Sequence, residues 1–274
     1  MSTVFTPHSV RDLETVPSRP LPRPPPRIVV RAVLALHRFF GRIARRLLPP
    51  EVSVFDTATG AARTELLGAL CRLGVFDALT SPKTAEVLAA ELGLEADRLF
   101  RVLRASAQVG ALDMGRDLRF RLTRIGRALT RHHPSRARDF ALFFSSPANL
   151  DAWRRVEATL RTGRNGFEVA HGTDVWSFYE HHPDDRETFA RAMMGITLAD
   201  APLIASLYPW GEVTCVCDVG GGRGTLLSEL LLRHPHLEGV LVDAPGVLAS
   251  ARSLLAHRGV SERIRLTPGD FFTA

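Results

Sequence analysis

The 274-residue sequence predicts a mixed fold: an all-α winged-helix domain, then an incomplete parallel α/β sheet. Three observations carry this. Between residues 61 and 122, apolar side chains recur at helical spacing in three runs. They then alternate on either side of Gly115-Arg116-Asp117, which gives the order helix, turn, helix, hairpin. From 213 to 232 an apolar strand enters a glycine-rich turn and leaves it as an apolar helix. A second apolar strand, Gly239 to Asp243, follows after one helical run, the mark of a crossover between parallel strands.

The chain opens with seven prolines in its first 26 residues, ending in Pro20-Leu21-Pro22-Arg23-Pro24-Pro25-Pro26. Such a segment builds no core, so residues 1–27 are expected to be a disordered or polyproline-like tail. Residues 28–48 are apolar but interrupted by Arg31, Arg38, Arg42, Arg45 and Arg46, with no acid among them. That is too much charge for a membrane span. It predicts a basic amphipathic helix with Val30, Val33, Leu34, Phe40, Ile43 and Leu47 near one face. The helix either packs on its own domain or a partner subunit, or makes peripheral contact with an anionic membrane surface. No cleavable signal is expected, because no A-x-A site follows the apolar run.

Residues 51–130 form the winged-helix region. Leu66, Leu67, Leu70 and Leu73 mark a helix over 61–79. Ser81-Pro82 opens a second over Thr84 to Leu92, and a third runs from Ala96 to Val109. Ala111 to Met114 and Arg119 to Leu122 form the hairpin. The third helix carries Arg98, Arg101 and Arg104, which a transcription regulator could lay in the DNA major groove. Leu99, Val102, Leu103 and Ala107 form its core face, however, and arginines opposite them are equally well explained by solvation. Charge argues against nucleic acid. Residues 1–48 hold nine arginines against Asp12 and Glu14, a net of +7, so of the chain's +6 the remaining residues contribute −1 and the body is close to neutral.

Residues 131–210 read as a helical linker and substrate-pocket region, rich in Phe140, Phe143, Phe144, Trp153, Phe167, Trp176, Phe178, Phe189, Met193 and Met194. Most of these are expected to be core. His171, His181 and His182 read as surface polar residues.

Residues 211–274 carry the most specific pattern. Asp218-Val219-Gly220-Gly221-Gly222-Arg223-Gly224 joins strand 213–217 to the helical run from Leu226. Glycine lets the backbone turn sharply and approach a ligand, and the helix behind offers unpaired N–H groups. The dinucleotide pattern G-x-G-x-x-G needs glycine where Thr225 stands. The spacing instead fits acidic-x-G-x-G-x-G, which belongs to S-adenosylmethionine-dependent methyltransferases. Asp218 then faces the ammonium end of the cofactor. Asp243, nineteen residues past Gly224, can accept both ribose hydroxyls.

From about residue 60 the sequence resembles small-molecule O-methyltransferases of the plant caffeate, hydroxyindole and bacterial polyketide type. The matching stretches are DVGGGRGTLL (218–227), GVLVDAPGV (239–247) and PGDFF (268–272). The resemblance implies a winged-helix dimerisation domain followed by a Rossmann-like methyltransferase sheet, and a cytoplasmic homodimer. It implies that Asp218, Gly220, Gly222, Gly224 and Asp243 hold the cofactor, with Asp270 and Phe271 on its adenine and Thr197 near its carboxylate. It also implies that Trp176, Phe189 and Met193 wall a pocket for a small hydroxyl acceptor that is aromatic, polyketide or polyene, and that Gly172 sits in a turn before the pocket helices.

A doubly wound sheet of this class has about seven strands, and only about three are legible, so roughly a hundred residues are expected beyond Ala274. They would include the histidine that serves these enzymes as general base. No catalytic residue is assigned within the chain, and its 274 residues are expected to be inactive alone. A non-catalytic dimerising relative stays open beside this reading. Cys71, Cys215 and Cys217 make no disulfide framework or metal site and are expected to be buried thiols in a reducing cytoplasm.

Overall fold

The structure is a computed structural model and describes residues 16–270. Two compact units divide the chain: Pro25–Phe189, and Ala190–Ala274 together with Met1–Pro24.

The first unit opens with α1 (Arg27–Leu47) and α2 (Pro50–Ala58). At about 100° per residue, Val29, Val33, Leu36, Phe40, Ile43 and Leu47 share one face of α1, opposite Arg31, Arg38 and Arg42. Val30, expected on that face, lies at its margin, and Leu34 lies nearer the arginines. The apolar face is open: Phe40 is 61% and Leu47 79% exposed.

There follow α3 (Gly60–Arg72), α4 (Val75–Ala78), α5 (Ala85–Leu92) and α6 (Ala96–Gln108), then the antiparallel strands β1 (Leu112–Met114) and β2 (Phe120–Leu122). The single helix expected over 61–79 is two. Gly74 takes φ 74° between them, a left-handed conformation that ends α3. The Glu95 carboxylate caps α6 by accepting from the N–H groups of Asp97 (3.1 Å) and Arg98 (2.8 Å). Leu99 and Leu103 enter a core with Leu70, Phe76, Leu88, Leu112 and Phe120, while Arg98, Arg101 and Arg104 face solvent. Six short helices complete the unit: α7 (Arg124–Ala128), α8 (Ala137–Phe144), α9 (Pro147–Trp153), α10 (Val156–Thr162), α11 (Gly166–His171) and α12 (Val175–His181).

Helix α13 (Pro183–Leu207) runs into the second unit. It is apolar and long enough to cross a membrane, but it buries Ala192, Met194, Leu198, Ala201 and Ala205, as a core helix does. Beyond it, β3 (Cys215–Val219), α14 (Thr225–Arg233), β4 (Glu238–Asp243), α15 (Pro245–His257) and β5 (Ile264–Pro268) alternate. The sheet is parallel in the order β3-β4-β5, with Asp218 opposite Leu241 and Asp243 opposite Pro268. Leu227, Leu230, Leu231, Leu241, Ala251 and Leu255 pack the helices on it.

Two expectations fail in this unit. Cys215 and Cys217 are exposed rather than buried. Among the described residues β3 pairs with β4 alone, and its alternation points Cys215, Cys217 and Val219 to solvent. The proline-rich tail is also not wholly free. Residues 1–15 lie outside the described residues, but Val16 is fully buried beside Met194, Leu198 and Leu254. Leu21 donates its N–H to the Glu229 carboxylate at 3.0 Å, and Arg233 donates to the Leu21 carbonyl at 2.6 Å. An extended proline-rich backbone makes no internal hydrogen bonds, so its remaining polar groups are open to outside partners.

Candidate functional site

The turn between β3 and α14 holds three residues in the left-handed region: Gly220 (φ 68°), Gly222 (60°) and Gly224 (74°). The backbone path therefore requires glycine or strain. Gly221 is glycine for a different reason. A Cβ there would stand 2.5 Å from Asp218 Cγ and from Leu241 Cδ1. A Cβ at Gly222 would meet nothing within 4 Å, so the outer side of the turn is open. No side chain caps α14 behind it, which leaves its first-turn N–H groups available.

Two carboxylates flank this turn, each at or near the C-terminal end of a parallel strand, where open α/β sheets hold ligands. Asp243 closes β4. Its Oδ2 accepts the Gly222 N–H and its Oδ1 the Ala244 N–H, both at 2.8 Å. Each oxygen keeps a lone pair. Asp218 lies within β3 rather than after it, and its Oδ2 is buried without a hydrogen-bond partner. Burial, with a smaller contribution from the nearby Asp243 charge, pushes the Asp218 carboxyl above the ordinary carboxylate range. A buried acid without a donor is costly, and a cation placed beside it removes the cost. The cofactor's ammonium group fits that atom.

The other expected residues divide between the units. In the second, Thr197 donates its hydroxyl to the Met193 carbonyl at 3.0 Å, one turn back on α13, so its proton is already committed. Asp270 is exposed and follows Gly269, whose N–H bonds the Asp243 carbonyl. Phe271 lies outside the described residues. In the first unit, Trp176 and Phe189 are brought together, ring centroids 6.0 Å apart.

Sequence reasoning missed Tyr179, which stacks on Phe189 at 5.1 Å. Burial, with Asp185 adding to it, lifts its phenol to about 12. Its position three residues after Trp176 on one helix was the available signal. The Asp174 carboxylate fixes that helix by accepting from the N–H groups of Trp176 and Ser177. His171, expected at the surface, is half-buried against Phe167 and Phe178, with Nε2 2.9 Å from the Ala148 carbonyl. Among the described residues no cluster of His, Cys, Asp or Glu could hold a metal.

The O-methyltransferase domain family matches residues 153–274, and the O-methyltransferase dimerisation domain family matches 55–132. The chain is 34% identical to the solved mitomycin 7-O-methyltransferase MmcR, with a TM-score of 0.75 over 86% of this chain and 69% of that one. The chain belongs to the O-methyltransferase family. A mitomycin biosynthesis 6-O-methyltransferase of Streptomyces lavendulae is 35% identical over 81% of this chain. An 8-amino-8-demethylriboflavin N,N-dimethyltransferase of Streptomyces davaonensis is also 35% identical, over 76%. The chain spans 64% and 60% of the lengths of these two relatives.

Proposed function

We propose that this chain binds S-adenosylmethionine at the Gly220–Gly224 turn and belongs to an enzyme that methylates a hydroxyl of a small aromatic, polyketide or polyene acceptor. The observation that carries this is the buried, unpartnered Oδ2 of Asp218 beside an open glycine turn. When bound, the cofactor supplies an electrophilic methyl on a sulfonium. Asp218 neutralises its ammonium group, and the free lone pairs of Asp243 accept the two ribose hydroxyls. Asp270 and Phe271 hold the adenine. Thr197 reaches the cofactor carboxylate only by releasing its bond to Met193. Trp176, Phe189 and Met193 are the proposed acceptor contacts, with Tyr179 backing Phe189. Methyl transfer is an in-line displacement, so these groups act by alignment and exclusion of water. No described residue is assigned as the general base.

The dimerisation-domain match supports a homodimer, and we read residues 51–130 as its winged-helix dimerisation domain. The N,N-dimethyltransferase relative favours one second reading, in which the acceptor atom is an amine nitrogen. We also propose a cytoplasmic protein whose helix α1 touches anionic membrane. Vesicles containing phosphatidylserine should retain the chain and lose it when residues 27–48 are deleted; equal partitioning of both forms would end that idea. The cofactor reading is tested by titration calorimetry with S-adenosylmethionine. Saturable heat that disappears in Asp243→Ala supports it. No heat from the folded chain contradicts it and favours a non-catalytic dimerising relative.

A further inference from the structure

Residues 16–24 touch three helices at once. Val16 is buried with Met194 and Leu198 of α13 and Leu254 of α15, and its carbonyl lies 2.8 Å from His257 Nε2. Leu21 donates its N–H to Glu229 of α14, and its carbonyl accepts from Arg233 of the same helix. Glu229 and Arg258 are fully buried and joined at 2.6 Å. Arg233 completes the cluster at 2.6 Å from Glu229, and Arg258 also donates to the Ser228 hydroxyl. Each of these helices also serves the glycine turn or its neighbours. Helix α14 starts at the turn, and α15 starts two residues after Asp243. Helix α13 carries Met193 and Thr197 beside the two residues that Val16 covers.

We infer that residues 16–24 are a positioning strap: they fasten α13, α14 and α15 together from behind and so fix the relative placement of Asp218, Asp243 and the glycine turn. Glu229 is the positioning residue that receives the strap. The consequence for affinity rests on the cofactor reading above; the fastening itself does not.

Hydrogen exchange and calorimetry on the 274-residue chain test both parts. Two variants release the strap gently: Val16→Asp puts a carboxylate in the apolar socket, and Leu21→Pro removes the strap's backbone N–H that Glu229 accepts. The Leu21 amide should be protected in the parent chain. In both variants exchange should rise about tenfold or more over 190–207, 225–233 and 245–257, while residues 60–122 keep their parent rates as an internal control. S-Adenosylmethionine should bind about tenfold more weakly, and a peptide of residues 16–26 added in excess should restore part of that loss. Parent strap amides that exchange like unstructured chain would overturn the proposal, as would a released strap with unchanged rates in the three helices. A parent chain that binds no S-adenosylmethionine would sink the cofactor reading instead, with the exchange rates still deciding the strap.

Discussion

The two sides of helix α14 treat a buried carboxylate in opposite ways. On the strap side, Glu229 accepts from Leu21, Arg233 and Arg258, so its charge is neutralised within the chain. At the glycine turn, Asp218 keeps one oxygen buried and unpartnered, with a second carboxylate, Asp243, close enough to raise its pKa further. One arrangement holds helices together. The other stores a cost that a cationic ligand can relieve. On the proposed cofactor reading, Glu229 is a structural charge and Asp218 a binding charge.

Breaking the strap-side cluster should have the largest effect. Glu229→Ala leaves Arg258 buried without its partner and should cost about 3–5 kcal/mol, read as a lower midpoint in urea. Loss of less than about 1 kcal/mol would mean that the cluster is hydrated and the contrast with Asp218 is overstated. Gly221→Ala comes next. Its methyl must displace Asp218 or Leu241, so about 1–3 kcal/mol of stability should go, together with S-adenosylmethionine binding. Unchanged binding would show that the turn is more pliant than its geometry implies.

A pH titration gives the smallest effect. The folded state raises the Asp218 pKa, so it holds that proton more tightly than the unfolded chain does. Its contribution therefore lowers stability as pH rises from the ordinary aspartate range through the raised value, and is most favourable below that range. Cofactor affinity should run the other way, falling as pH drops through the raised value, because a protonated Asp218 cannot pair with an ammonium group.

Much of the fold was legible because local rules agree with the tertiary result. Helices α5 and α6 and the β1–β2 hairpin follow from apolar spacing and from glycines at 93 and 110. The glycine turn and its two carboxylates were legible because three positive-φ positions leave few residue choices. The strap was not legible. Proline content predicts the absence of a core, but docking here runs through backbone groups to Glu229 and Arg233, more than two hundred residues away. The cysteines were misread because Val213 to Cys217 is apolar enough to suit a buried strand, and exposure depends on which strands flank it. Tyr179 and His171 were misjudged because the Phe189 and Phe178 rings that cover them come from helix packing.

The most direct test of the central claim is a paired measurement on Asp218→Asn. The amide is close in shape to the carboxylate and carries no charge, so the ligand-free chain should melt about 1–3 °C higher at neutral pH. In calorimetry the same variant should lose S-adenosylmethionine binding by about a hundredfold. Opposite movement of stability and affinity is the predicted result. A variant that melts lower and binds S-adenosylmethionine as the parent does would contradict the account, because Asp218 would then be a structural acid like Glu229.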